Sequence, residues 1–161
     1  MGKHIKKLHH EYHYRDKNIS ADMEIDLGRF EGQYSKAQFA LDSMVMTSMV
    51  PFMPMQTGQF INVTKAMSAS IAGSGKVVAA APPFGRFLYG GKLMVDEITG
   101  SAYARKGARK VLASEFGGAD VELDFYKGRH PNAQKEWFKA AKEKDEDNWK
   151  STTKRIAGGN K

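Results

Sequence analysis

The sequence predicts an α+β fold: an antiparallel sheet packed by two principal helices, at about 35–50 and 132–157. Three observations carry that prediction. Apolar residues recur at three-and-four spacing in both helical stretches, the mark of a stripe facing a core. Acidic and aliphatic residues alternate along 22–27 and 121–126, the period of a half-buried strand. Two short apolar runs, 67–72 and 76–81, meet at Gly73-Ser74-Gly75 and read as the arms of a β-hairpin, since glycine supplies the positive φ angles of a tight connection.

A chain of 161 residues is long enough for one domain with a real core. Residues 1–20 read as a basic flexible arm and 21–161 as the single domain. The arm, MGKHIKKLHHEYHYRDKN at its start, is polar and lacks sustained periodicity. His9, His10 and His13 raise a metal site, but histidines alone, without a carboxylate at fixed spacing, are a weak signal for one. No metal or other cofactor is expected.

Met23, Ile25 and Leu27 share one face of the first strand; Asp22, Glu24 and Asp26 share the other and read as solvated. Ser35 and Gln38 form a capping box at the start of the first helix. Ala37, Leu41, Met44, Val45, Ser48 and Phe52 make its stripe, and Pro51 and Pro54 end it. Nine methionines are many, and those of this helix suit a core with irregular gaps.

GSGK at 73–76 lacks the spacing of a phosphate-binding loop, with Ser70 and Val77 at the positions that would need Gly and Ser or Thr. A long connection, about 84–118, follows. Phe84, Phe87 and Tyr89 are expected to anchor it to the core. Arg105, Lys106, Arg109 and Lys110 are expected to face a neighbouring subunit or a DNA channel. Val121, Leu123 and Phe125 mark the inner face of the last strand. His130-Pro131 opens the final helix, whose apolar face is Trp137, Ala141, Trp149, Thr152 and Ile156, with Gly158-Gly159 at its end.

The absence of cysteine excludes disulfides and thiolate metal sites, as expected of a protein assembled inside a cell. No apolar window approaches the length that spans a membrane, and the charged start is no signal peptide. Four of the five histidines lie in the arm, and no Ser or Cys nucleophile stands at a recognisable spacing from a base; the chain does not read as an enzyme. A net charge of +7 favours polyanionic surroundings.

The order of segments resembles a known family. VPFMPMQTGQF, with Thr57-Gly58, is followed by a Gly-centred stretch, then FGRFLYGGK, KLMVDEITGSAYARKG and HPNAQKEWFKAAK. His130, Pro131, Ala133, Trp137 and Phe138 match a recurrent His-Pro, Ala, Trp-Phe pattern. Together these resemble the minor capsid proteins of tailed phages and prophages, similar to the neck or tail-completion proteins of long-tailed phages. The resemblance covers 35–142 and leaves the arm and DMEIDL unmatched.

It implies a structural virion protein at the head–tail junction, assembled in the host cytoplasm as a homo-oligomeric ring, a hexamer among the candidate sizes. Connector or stopper proteins and tail-terminator or tail-tube proteins would be its neighbours. Genomic DNA would pass it without being read. The alternative reading is a free-standing, non-specific nucleic-acid-binding protein that uses the basic loop and arm.

Overall fold

A computed structural model describes residues 9–16, 19–26 and 28–158, with side chains from residue 30 onward. Helices and antiparallel strand pairs make it α+β. Its elements are β1 (His9–Asp16), β2 (Ile19–Asp26), α1 (Gly28–Met49), a 3-10 turn (Val50–Phe52), α2 (Gln59–Ser70), α3 (Gly85–Gly90), β3 (Met94–Asp96), β4 (Lys110–Leu112) and α4 (Trp137–Ile156). The single expected sheet is instead two separate two-stranded ladders, β1–β2 and β3–β4.

The core lies where α1 packs on α4. Val45, Met46, Met49, Phe52, Met53, Ile61, Trp137, Ala141 and Trp149 form it, with Leu41 and Met44 packed against its edge. The two helices run antiparallel. Gln134 donates its N–H to the Phe52 carbonyl (3.0 Å) at one end, and Gly158 stands beside Gln33 at the other. Between them Trp149 Nε1 donates to Ser48 Oγ (3.1 Å). Methionines of α1 do enter the core: Met46 and Met49 are buried, and Met53, just past the 3-10 turn, is wholly buried with them.

Four expectations need correction. The first helix begins at Gly28, so Ser35 is an exposed interior residue and no start signal. Gln38 does not cap; its Nε2 donates to Asp42 Oδ1 (2.8 Å) one turn on. The last helix begins at Trp137, not near 132. Glu136 sits in the left-handed region (φ 51°), and its N–H donates to the Tyr89 carbonyl (2.9 Å), which breaks any helical path from upstream. The connection 84–118 is not a loop throughout, since it holds α3, β3 and β4. Residues 121–126 form no strand, only a bridge between Glu122 and Lys92 with Val121 exposed.

The hairpin expected over 67–81 is the largest correction. Residues up to Ser70 are helical, with Ile61, Thr64 and Ser68 on the inward face of α2. The second run lies against that helix without regular structure, and side chains rather than a partner strand satisfy several of its backbone groups. Ser68 Oγ donates to the Val78 carbonyl (3.0 Å) and also lies 3.1 Å from the Val78 N–H. Ala81 N–H donates to Thr64 Oγ1 (3.2 Å), and Trp137 Nε1 donates to the Ala79 carbonyl (2.8 Å). Buried backbone groups need partners, and here hydroxyls and an indole provide them.

Gly73-Ser74-Gly75 does turn the chain, but around a carboxylate. Gly73 (φ 88°) and Gly75 (φ 75°) both donate their N–H groups to Asp42 Oδ2, at 2.8 and 3.1 Å. Successive amides in such a turn make a concave anion seat, and glycine adopts the positive φ it needs without strain. Asp42 is 4% exposed, so these bonds hold a buried side chain. Asp42→Ala strands both amides and is expected to cost about 1–3 kcal/mol. Urea unfolding followed by far-UV circular dichroism measures it; an unchanged midpoint would contradict the seat.

In the N-terminal region the backbone of His9–Asp16 is a β-strand, so this part of the expected arm pairs with β2. Residues 1–8 and 17–18 of that arm lie outside the described residues, as does Gly159.

Candidate interaction surface

The surface is built on one buried carboxylate. The DEITG stretch turns sharply after β3: Asp96 N–H donates to the Ser101 carbonyl (2.8 Å) and Gly100 N–H to the Asp96 carbonyl (2.9 Å). Asp96 is fully buried. Its Oδ1 accepts from the N–H groups of Ile98 (2.8 Å) and Thr99 (3.1 Å), the local pattern by which Asp organises a turn. Its Oδ2 accepts from Arg105 N–H and Nε, both at 3.2 Å, and Arg105 Nη2 reaches Oδ1 at 3.4 Å. The Ile98 N–H, then the Arg105 guanidinium, then the Thr99 N–H hold this carboxyl well below the usual carboxylate range.

The four cations expected to face a partner thus divide into two pairs. Arg105 is tied to Asp96. Lys110 donates Nζ to the Ala102 carbonyl (2.6 Å) and lies 5.3 Å from the Phe87 ring centre. Both close the 96–110 loop upon itself. Lys106 and Arg109 stand exposed on it. Around them Tyr103 (90% exposed), Ile98 and Phe116 are open to solvent.

The expected aromatic anchors also differ from one another. Tyr89 packs edge-on against Trp137, ring centres 4.9 Å apart, and burial, then the Glu136 carboxylate, raise its hydroxyl above the ordinary range. Phe87 is half-buried beneath Arg86 (4.5 Å) and Lys110. Phe84 is 65% exposed and forms the lip of a cleft of about 150 Å³ with Phe87, Leu88, Leu93 and Leu123.

Three of the five segments that carried the resemblance converge on one joint. The His130 ring donates from Nδ1 to the Met53 carbonyl (2.8 Å), because a carbonyl can only accept. Ala133 is buried, and Gln134 bonds Phe52. Trp137, fully buried, sits between Phe60 (5.9 Å) and Tyr89. Gly58 caps the start of α2, with Thr57 Oγ1 3.4 Å from Gln59 N. Pro131 is exposed, and Phe138 stacks on Trp149 (6.5 Å) at the joint's outer side. The roles of Asp42 and Asp96 escaped sequence reading. Asp96 had a signal in its Asp-x-x-Thr-Gly turn; Asp42 had none, because the two glycines it holds are more than thirty residues away.

Among residues with placed side chains, no three His or carboxylate groups gather as a metal cage. No described helix is long and apolar enough to cross a membrane. No family model, curated protein or solved structure matches the chain.

Proposed function

We propose that this chain is a minor capsid or neck (tail-completion) protein of a tailed phage. It forms a ring at the head–tail junction and joins the capsid connector to the tail. The observation that carries the reading is the joint around Trp137. Segments near 50–60, 84–92 and 130–142, whose order suggested the family, pack together through His130–Met53, Gln134–Phe52 and Glu136–Tyr89 bonds. A shared order of motifs has a physical reason when those motifs build one joint. The function is structural and needs no chemistry at that joint.

The exposed loop with Lys106, Arg109, Ile98 and Tyr103 supplies the docking surface in this reading. Cations there soften the approach of a DNA channel or meet acidic neighbours without reading sequence. Lys106→Glu with Arg109→Glu is expected to lower the yield of joined, infectious particles at least about tenfold, as like charges replace complementary ones. Complementation of a particle lacking the wild-type chain measures it. Unaltered joining would remove the loop from the interface.

Cryo-electron microscopy of assembled particles tests the reading itself. A ring of this chain between connector and tail is expected; its absence from the particle overturns the proposal. The nucleic-acid-binding alternative predicts tight, salt-sensitive binding by the isolated monomer in a gel shift. Two of the four loop cations serve internal bonds, which weakens that alternative.

A further inference from the structure

A groove of about 140 Å³ runs between α1 and α2, lined by Asp42, Ser43, Met46, Ser68, Ala69 and Ala72. Its polar side chains already have partners inside the chain. Asp42 accepts from Gln38, Gly73 and Gly75, and Ser68 Oγ donates to the Val78 carbonyl. Ser43 Oγ donates to the Phe39 carbonyl (2.9 Å), a bond that turns a hydroxyl back onto its own helix. What remains for a visitor is the apolar surface of Met46, Ala69 and Ala72. A cavity of about 150 Å³ with an apolar lining holds a benzene ring.

Phe39 flanks one end of this groove. It lies one turn before Ser43 and beside Gly73, which follows Ala72 in the chain. Its ring is 56% exposed, although α1 buries its opposite stripe in the core. Thr47 continues the outer stripe, and its hydroxyl also turns back, to the Ser43 carbonyl (2.9 Å). Between Lys36 and Lys76 the sequence holds two charged residues, Asp42 and Lys65. Asp42 is buried. Lys65, one turn before Ala69, is exposed at the margin, as are Lys36 and Lys76. The face thus has an uncharged centre and a basic rim. Charge is depleted at the centre of protein–protein contacts, and contacts between identical copies are the more apolar kind.

We propose that this α1–α2 face pairs two copies of the chain about a two-fold axis, each Phe39 ring entering the other copy's groove. The face carries a knob and a hole side by side, and a two-fold contact presents the same patch to itself. A partner of another kind has use for only one of the two. The rim cations of the two copies approach one another in such a pair, so salt, which screens them, should tighten it. The pairing does not rest on the phage reading. It shares no residue with the Lys106 and Arg109 loop.

Sedimentation velocity of the purified, nuclease-treated full chain tests this, from micromolar to submillimolar concentration at two salt levels. A monomer–dimer equilibrium that tightens with salt is expected. Phe39→Ala removes the knob and should weaken pairing at least about tenfold, as loss of a central aromatic anchor does. Ala69→Glu puts a charge in each hole and should weaken it at least as much. Phe84→Ala, an equally exposed aromatic outside the face, should change it less than about twofold. Far-UV circular dichroism and tryptophan fluorescence confirm that each variant keeps its fold. A chain that stays monomeric throughout overturns the proposal, as does association that yields only species larger than a dimer. Association that weakens with salt is driven by opposite charges and also overturns it. Phe39 and Ala69 variants that pair as wild type overturn the assigned face.

Discussion

Trp137→Ala is expected to cost about 3–5 kcal/mol, the range for removing a large buried aromatic from a core. Domain stabilities run at about 5–15 kcal/mol, so this one change removes a large share. The indole is wholly buried and contacts Phe60 and Tyr89 edge-on. Its Nε1 also satisfies the half-buried Ala79 carbonyl, so truncation leaves that acceptor without its donor. Trp137→Phe separates the two contributions. It keeps most of the ring's volume but loses the hydrogen bond, with an expected cost of about 1–3 kcal/mol. Urea unfolding by far-UV circular dichroism gives both values, with Trp149 as an internal fluorescence probe. If the alanine variant lost no more than the phenylalanine variant, the ring's packing would not hold the joint.

Asp96→Ala is expected to release the 96–110 loop while leaving the helical core folded. One carboxylate accepts five of the hydrogen bonds that close this turn. Its removal unties Arg105 at the same time. The loop carries four tryptic sites, Arg105, Lys106, Arg109 and Lys110, so limited trypsin digestion reads its opening. Cleavage there should accelerate at least about tenfold, since proteolysis of a segment tracks the population of its open form. An unchanged rate would show that β3–β4 pairing alone holds the loop.

Acid provides an independent check on the same carboxylate. Asp96 has a folded pKa depressed below the unfolded value of about 3.9, so its contribution is full above that value. It is lost as pH falls toward the folded pKa. Amide exchange at Ile98 and Thr99, relative to core amides, should therefore rise as pH is lowered from about 5 to 2. The Asp96→Asn variant should lack that dependence. A parallel response in the variant would assign the change to other carboxylates.

The sequence by itself determined the two-helix core and the α+β class. Periodicity along the two helical stretches marked Ala37, Val45, Phe52, Trp137, Ala141 and Trp149, which are buried, and Leu41, Met44, Ser48, Thr152 and Ile156, which are half-buried. That signal is local, because a helix turns its own sequence into a face. Element boundaries were less legible. Glu136 leaves the helical region because its N–H bonds the distant Tyr89 carbonyl, and no local pattern carries that information.

Only the tertiary structure decided what 67–81 becomes. Two apolar runs around a glycine turn are compatible with a hairpin, yet a helix won the first run. The second then found Ser68, Thr64 and Trp137 as partners, while the turn closed on Asp42. Likewise, four loop cations look equivalent in sequence, but Asp96 and Ala102 occupy two of them. Long-range partners, not residue type, make these assignments, and a chain read in one dimension does not contain its own distances.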